Sequence, residues 1–286
     1  MNFFYVYFSD ERLEQLRTLI LSILTVRRFY PLNEIVVIDY SNDRRLHEFS
    51  KLHNFQLVQK SPCYMNKNHI INNMVSKPMD CILVAESLNM NNIVLLDSDV
   101  FLLDEFSTID FDKFSIFHRE KTGYNSGILF FSTKSESLEA FKEMYGFVVD
   151  RCNESVEFVH FCQKVFNRPL MSTINEETLI GAMLESLPVF KKKHSSNIDV
   201  ANHGHLDFFL NQSDAKFNNL HFLAFVLNNL GAASSDKYQY PLMLKEFNFL
   251  KVDEDFFGIK PSFNLNLSDL RAKLIAAKNK CHRMFL

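Results

Sequence analysis

The first half of the chain alternates short apolar runs with longer stretches in which apolar residues recur at the spacing of an amphipathic helix. Short apolar runs separated by helices are typical of parallel strands that are covered on both faces. We therefore predict an α/β fold. Its predicted strands span residues 3–8, 35–38, 55–58 and 93–96, and its predicted helices span residues 10–29, 43–53 and 78–88.

The alternation is looser after residue 96. Predicted strands cover residues 114–118, 127–131 and 217–222, and predicted helices cover residues 135–152, 154–166 and 176–187. Residues 231–240 are small and polar, which indicates a loop that can move. A last, basic helix is predicted at residues 267–284. The prediction is one main domain at residues 1–230, with residues 231–286 as a loop and a small C-terminal helical extension packed on it.

The composition is that of an ordinary globular protein. The chain has 286 residues, of which 47% are hydrophobic and 23% charged, and its net charge of -3 favours neither nucleic acid nor an anionic membrane as a partner. Its five cysteines form no CxxC pair and are expected to be buried, inert thiols. We expect a cytoplasmic protein, because neither a signal peptide nor a membrane-spanning apolar stretch is recognised. The basic last helix is expected to be solvated, with peripheral docking to an anionic membrane or a lipid-linked acceptor as the alternative.

Two aspartates, Asp97 and Asp99, directly follow the aliphatic run 93–96. In an alternating α/β sheet, ligands bind outside the carboxyl ends of the strands, and side chains two apart in an extended chain point the same way. Two converging carboxylates suit Mg²⁺ or Mn²⁺ better than zinc, and such an ion can neutralise the charge of a departing diphosphate. The same spacing also arises by chance, where an aspartate only caps a turn or a helix.

The residues around this pair resemble those of a known enzyme family. Residues 76–88 lead into residues 93–104, and Gly-Tyr-Asn-Ser-Gly-Ile-Leu-Phe-Phe follows at residues 123–131. The arrangement resembles the GT-A nucleotide-diphospho-sugar transferases, and most closely the retaining family eight group that contains glycogenin and bacterial lipopolysaccharide galactosyltransferases. The resemblance implies a Rossmann-like, mostly parallel mixed sheet flanked by helices. It also implies a metal-dependent, retaining transfer of a hexose from a UDP-sugar to a hydroxyl of a glycan or lipid-linked saccharide.

The resemblance further implies which residues hold the metal. Asp99 would bind Mn²⁺ or Mg²⁺, and Asp97 would contact both the metal and the ribose of the donor. A histidine on a later strand is the third protein ligand in the family, and His221 matches it best. His203 and His205 are the competing candidates.

Other positions would contact the nucleotide sugar. Asn125 and Ser126 match the family's Asn-Ala-Gly or Asn-Thr-Gly, whose amide binds sugar hydroxyls, although Asn and Gly are also ordinary turn residues. Glu176 and Glu177 match an acidic-amide pair that opens a helix beside the anomeric carbon, and the alternative is that they only complement the helix dipole. The remaining donor contacts implied by the resemblance are Phe8, Ser9 and Asp39 for the base and ribose, together with Lys77 and Ser98.

Two rival functions use the same residues. The run into Asp97-Ser-Asp99 also looks like the first motif of haloacid-dehalogenase-type phosphatases, with Asp97 as nucleophile, Asp99 as general acid and Ser132 as the phosphate-binding hydroxyl. That motif normally ends the first strand of its domain, whereas several strand-helix units precede it here. The second rival is a nucleotide-sugar-binding module without catalytic activity.

Overall fold

The structure is a computed structural model that describes residues 1–8, 13–41, 43–64, 71, 73–98, 100–102, 111–112, 114–119, 123–165, 174–186, 199–201 and 220–224. In this part of the chain the strands are β1 (Asn2–Tyr7), β2 (Ile35–Asp39), β3 (Gln56–Gln59), β4 (Ile93–Leu96), β5 (Val100–Leu102), β6 (Ser115–Arg119), β7 (Gly123–Phe131), β8 (Asp199–Ala201) and β9 (Leu220–Ala224). The helices are α1 (Leu13–Phe29), α2 (Arg44–Leu52), α3 (Lys77–Ser87), α4 (Glu136–Glu154), α5 (Val156–Val165) and α6 (Glu176–Ser186), and a short 3₁₀ helix at Asn73–Ser76 precedes α3.

Six strands form the main sheet, in the order β3-β2-β1-β4-β7-β6. The pairs β3–β2, β2–β1 and β1–β4 are parallel, whereas β7 runs antiparallel to both β4 and β6. The chain first moves outward from β1 to β2 and β3, and then returns to place β4 on the other side of β1. The direction of winding therefore reverses between β1 and β4. This arrangement confirms the α/β prediction of a mostly parallel mixed sheet flanked by helices.

The central strands β1, β2 and β4 of the main sheet are buried on both faces. Alternate residues of a strand face opposite sides, so β1 contributes to two apolar layers. Phe3, Tyr5 and Tyr7 pack with α1 and α2 on one face, and Phe4 and Val6 pack with α3, α4, α5 and α6 on the other. Burial on both faces explains why these central strands contain continuous apolar runs in the sequence.

Two short strands were not predicted. β5 and β8 join β9 in a second, three-stranded sheet with the order β5-β9-β8. Strands of this length are too short to show an alternation of apolar and polar residues, and hydrogen bonds to a neighbouring strand define them instead. The predicted strand at residues 217–222 corresponds to β9 at Leu220–Ala224.

The Asn-Ser-Gly segment lies inside a strand and does not form a turn. β7 begins at Gly123, and Asn125 pairs with Phe117 of β6 while Ile128 pairs with Leu96 of β4. The antiparallel ladder on both sides outweighs the turn preference of asparagine and glycine. As a result, the backbone of Ser126 is held at the same end of the sheet as Asp97.

The cysteines follow the prediction in part. Cys81, Cys152 and Cys162 are buried free thiols, but Cys63 is exposed, because it lies in the connection after β3 and outside the core. Among the helices that the structure describes, none has the length and apolarity needed to cross a bilayer. The predicted loop at residues 231–240 and the predicted helix at residues 267–284 lie outside the described residues.

Candidate functional site

The candidate site is built around Asp97, the residue that follows β4. Its backbone N–H donates to the carbonyl of Gly127 at 2.8 Å, which extends the β4–β7 pairing by one residue. Its carbonyl accepts from the N–H of Val100 at 3.1 Å, which closes a tight turn over residues 97–100. The Asp97 side chain is 33% exposed, so its carboxylate is accessible to a ligand while its backbone is fixed.

Lys77 joins three parts of the site. It is the first residue of α3, its side chain is only 1% exposed, and its ammonium forms an ion pair with Oδ1 of Asp97. The same Nζ atom donates to the carbonyl of Ser126 at 3.1 Å and to Oε1 of Glu176 at 3.3 Å. All three hydrogen atoms of the ammonium therefore have an acceptor, as a buried lysine requires.

Glu176 is the second carboxylate of this cluster. It opens α6, where the positive end of the helix dipole stabilises a negative charge, and its side chain is buried. Oε1 accepts from Lys77 and, at 3.1 Å, from the hydroxyl of Ser126. Within the described residues, the buried Oε2 atom has no hydrogen-bond partner. Because buried polar atoms rarely lack a partner, this oxygen is a candidate contact for a bound ligand.

The charges in the cluster shift the pKa values of its members. Burial alone lowers the pKa of Lys77, but the negative charges of Asp97 and Glu176 outweigh burial and raise that pKa above the ordinary lysine value. Burial raises the pKa of Glu176, the charge of Asp97 raises it further, and Lys77 opposes both effects without cancelling them. Lys77 is thus a permanent cation, and Glu176 holds its proton to a higher pH than a solvated glutamate.

The raised pKa of Glu176 makes stability depend on pH. A group whose pKa is higher in the folded state stabilises the fold fully below its unfolded pKa, about 4.3 for glutamate, and that contribution is lost as the pH rises through the folded pKa. The glutamine side chain of Glu176→Gln is neutral at every pH, so this variant does not lose stability in that way. We therefore expect the free energy of unfolding of Glu176→Gln, relative to the wild type, to increase as the pH rises from the unfolded pKa to the folded pKa of Glu176. Urea unfolding of both proteins over a pH series tests this, and a constant difference would contradict it.

Asn175 sets the start of α6 and thereby the place of Glu176. Its Oδ1 accepts from the backbone N–H of Thr178 at 3.1 Å and from the Thr178 hydroxyl at 2.9 Å. Asparagine is among the preferred residues for capping a helix in this way. Asn175→Ala is expected to lower the free energy of unfolding by about 1 kcal/mol, whereas Asn175→Asp keeps the acceptor and should stay near the wild-type value. Urea denaturation of the two variants measures this, and equal stabilities would rule out the cap.

A second group of predicted site residues lies at the ends of β1 and β2. Asp39 ends β2 and is buried, and its Oδ1 accepts from the backbone N–H and the hydroxyl of Ser41 at 2.7 and 2.6 Å. Its Oδ2 is also buried and has no hydrogen-bond partner among the described residues. The ring of Phe8 meets the ring of Tyr40 edge to face, with centroids 4.9 Å apart. This end of the sheet thus combines an aromatic surface with an unused carboxylate oxygen.

The structure brings Lys77, Asp97, Ser126 and Glu176 together, although it leaves their functional roles as predictions. Ser98 lies in the turn after Asp97, partly exposed, and Glu177 follows Glu176 in the first turn of α6. The other predicted site residues are not placed in full. Ser9, Asp99, His203 and His205 and the side chains of Asn125 and His221 lie outside the described part of the structure.

The strand pairing around His221 bears on the metal site. β9 runs antiparallel to β5, with Val100 opposite Ala224 and Leu102 opposite Phe222. The backbone of His221 therefore lies about 10 Å along the strand from the position opposite Val100, at about 3.4 Å per residue. The pairing does not by itself bring His221 beside the acidic pair. Among the described side chains, no group of three His, Cys, Asp or Glu residues is arranged to hold a metal ion. The metal ligands stay a prediction.

Three hydroxyl side chains near the site were missed by the sequence reasoning. Tyr5, Ser22 and Thr25 are buried and form a chain of hydrogen bonds that reaches the backbone of β5. A signal existed, because Ser22 and Thr25 are polar residues three apart that interrupt the apolar side of α1. Polar residues on the buried side of a helix need partners, and here the partners are backbone groups next to the acidic pair.

Comparison with known proteins gives similarity in structure alone. No protein-family model matches this sequence, and no curated protein matches it. A glycosyltransferase involved in the glycosylation of the major capsid of PBCV-1 is 11% identical, with a TM-score of 0.42, covering 78% of this chain and 92% of that chain.

Two structures of LgtC also match. An active-site mutant of LgtC is 14% identical, with a TM-score of 0.49, and the galactosyltransferase LgtC in complex with donor and acceptor sugar analogs is 13% identical, with a TM-score of 0.47. Each match covers 79% of this chain and 87% of the LgtC chain.

Proposed function

We propose that this protein is a GT-A-type glycosyltransferase that transfers a hexose from a UDP-sugar to a hydroxyl of a glycan or lipid-linked saccharide. The observation that carries the proposal is the convergence of Lys77, Asp97, Ser126 and Glu176 at the carboxyl end of β4. Burying the charges of Lys77 and Glu176 beside the partly exposed Asp97 costs free energy, because both groups lose their hydration. A role in binding and activating a charged, hydroxyl-rich donor would explain why the cluster is present.

The sheet topology supports a nucleotide site at this place. In open α/β sheets, ligands bind outside the carboxyl ends of the strands where the direction of winding reverses. The reversal here lies between β1 and β4, and the residues that follow these strands are Phe8 and Asp97. We assign the base and ribose to Phe8, Ser9 and Asp39. The unpartnered Oδ2 atom of Asp39 would accept a hydrogen bond from the base or ribose.

The residues present fit a divalent ion in their chemistry. Carboxylate oxygens are the ligands that Mg²⁺ and Mn²⁺ prefer. Asp97 is partly exposed, and of its two carboxylate oxygens Lys77 pairs with Oδ1. We propose that Asp97 and Asp99 hold the metal, with His221 or one of His203 and His205 as a further ligand. When bound, the ion supplies positive charge that stabilises the departing diphosphate.

The remaining steps are performed by residues of this chain. An acceptor hydroxyl attacks the anomeric carbon of the hexose on the side from which the diphosphate departs, and the bond from that carbon to the diphosphate oxygen breaks. UDP leaves with the bonding electrons, and the hydroxyl proton passes to the departing diphosphate. Lys77 brings a fixed positive charge to the site, which stabilises the charge that grows on the diphosphate. The buried Oε2 atom of Glu176, with Asn125 and Glu177, would contact the sugar beside the reacting carbon. Retention of the anomeric configuration is part of this proposal.

The proposed partners are therefore a UDP-sugar and a saccharide acceptor, with no role for nucleic acid. The nearly balanced charge of the chain supports this, because binding to a polyanion depends on a strong positive field. A cytoplasmic location is also proposed. Any contact with a membrane would be peripheral and would involve the basic segment at residues 267–284.

The proposal is tested by incubating the protein with UDP-glucose and UDP-galactose in the presence of Mn²⁺, Mg²⁺ or EDTA. Metal-dependent release of UDP supports the transferase. Release of UDP at the same rate in EDTA would contradict the proposed metal site but not the transferase activity. Release of phosphate from p-nitrophenyl phosphate would instead identify a phosphatase with Asp97 as nucleophile. Calorimetric binding of a UDP-sugar with no release of UDP, even with saccharide acceptors, would identify a binding module.

A further inference from the structure

A chain of buried hydroxyl groups connects β1 and α1 to the strand that follows the acidic pair. The hydroxyls of Tyr5 and Ser22 are 2.9 Å apart, and the Ser22 hydroxyl donates to the carbonyl of Val100. One turn further along α1, the hydroxyl of Thr25 accepts from the N–H of Leu102 at 3.0 Å. Two side chains of one helix thus bind two backbone groups of β5.

The direction of these hydrogen bonds follows from the number of protons. Ser22 has one hydroxyl proton, which is used on the carbonyl of Val100, so the Tyr5 hydroxyl must donate to Ser22. Thr25 uses its own proton on the carbonyl of Ser22 at 2.7 Å and accepts from Leu102 with its lone pair. Each hydroxyl therefore has a defined acceptor for its proton, and the hydrogen bonds among the three side chains have one possible direction.

The hydroxyl chain supplies hydrogen-bond partners for backbone groups on the side of β5 that faces away from β9. Among the strands that the structure describes, β5 lies at the edge of the three-stranded sheet and pairs with β9. An edge strand presents backbone N–H and C=O groups that need partners when they are buried. Val100 and Leu102 are both buried, and Ser22 and Thr25 provide those partners. The position of β5 is therefore set by α1.

We infer that Ser22 and Thr25, supported by Tyr5, are positioning residues for the acidic turn, which we define as Asp97 and Ser98, the residues after β4. The turn is fixed at its start by the hydrogen bond from the N–H of Asp97 to the carbonyl of Gly127. Its other end continues into β5, which the hydroxyl chain fixes against α1. The inference rests on the proposed function, because it explains this second anchor by the need to orient the Asp97 carboxylate toward the donor.

The test compares threonine variants that differ in one group. Thr25→Val keeps the shape of the side chain and removes the hydroxyl, whereas Thr25→Ser keeps the hydroxyl. The matched control is Thr133→Val, because the hydroxyl of Thr133 also bonds a backbone carbonyl, that of Met90, at 2.8 Å. Thr133 lies after β7 and Met90 lies before β4, at the end of the sheet away from Asp97. Tyr5→Phe serves as a second variant, should Thr25→Val fail to fold.

Two measurements are made on each variant. Hydrogen exchange of the peptide covering residues 97–102 should become about five- to tenfold faster in Thr25→Val, and stay unchanged in Thr25→Ser and Thr133→Val. The kcat/KM for the UDP-sugar should fall up to about a hundredfold in Thr25→Val, since misplacement of a site by about 1 Å has effects of this size. Thr25→Ser should restore kcat/KM to near the wild-type value. Tyr5→Phe should show both changes in weaker form.

The outcomes separate this inference from the proposed function. If Thr25→Val matches Thr133→Val in exchange and in kcat/KM, the hydroxyl chain has only a general structural role and the inference is wrong. If the wild type itself neither binds nor turns over any UDP-sugar, the proposed function fails. In that case faster exchange at residues 97–102 in Thr25→Val would still show that the hydroxyl chain anchors β5. The anchor would then have no role in donor binding.

Discussion

The Asp97→Asn variant is expected to lose UDP release by about a hundred- to a thousandfold while it remains folded. Removing one preorganised electrostatic contact from an active site has effects of this size. The substitution keeps the shape of the side chain, and Lys77 keeps its contacts with Glu176 and the carbonyl of Ser126. We therefore expect a loss of only about 1–2 kcal/mol in the free energy of unfolding. Steady-state kinetics and urea denaturation of the same preparation measure both quantities.

The chain offers a matched control for this variant. Glu86 is also a carboxylate paired with a lysine, Lys142, at 2.8 Å, and its exposure of 31% is close to the 33% of Asp97. Glu86→Gln removes the same charge from a similar environment outside the candidate site, so UDP release should stay near the wild-type rate. Equal activity of Asp97→Asn and Glu86→Gln would show that Asp97 has no role in the release of UDP.

The Lys77→Met variant is expected to reduce both stability and activity strongly. The substitution leaves Glu176 buried without its cation, and breaking a buried ion pair in this way costs about 3–5 kcal/mol. UDP release should fall at least about a hundredfold, because the fixed positive charge near the diphosphate is lost. Urea unfolding and UDP release are measured together, with Lys142→Met as the control. Lys142 pairs with Glu86 and Glu139 nearer the surface, where such pairs contribute about 0.2–1 kcal/mol.

A double variant distinguishes the two effects of Lys77. Lys77→Met combined with Glu176→Gln has no uncompensated carboxylate at that position, so it should regain much of the stability that Lys77→Met loses. UDP release should remain low, since the positive charge is still absent. If activity returned together with stability, Lys77 would act only by keeping the fold intact.

Much of the fold could be predicted because burial leaves a clear mark on the sequence. β1, β2 and β4 are covered on both faces and therefore contain continuous apolar runs, and the apolar residues of the helices that cover them recur at the helical period. β5 and β8 show neither mark. They are three residues each and exist because of hydrogen bonds to β9 and, for β5, to α1. Such long-range contacts leave no local periodicity.

The candidate site is predicted for a different reason, and the functional roles of its residues stay predictions. Asp97 was found from its place after an apolar strand, which is a physical argument about sheet edges. Lys77, Ser126 and Glu176 were found through resemblance to a family, because nothing in their spacing shows that they meet. The hydroxyls of Tyr5, Ser22 and Thr25 were missed by both routes, since each bonds to its neighbours through the fold and the motifs of the family do not include them.

The contact between Lys77 and Glu176 joins residues that are 99 positions apart in the chain. Contacts at such separation form late, because the intervening chain must first lose its freedom. While the protein is being synthesised, Lys77 and Asp97 leave the ribosome well before α6 exists. We expect that a nascent or truncated chain ending before residue 174 has an open, hydrated Lys77 and no competent donor site. Nucleotide binding at the proposed site would then be acquired when α6 docks, and would report that step of folding.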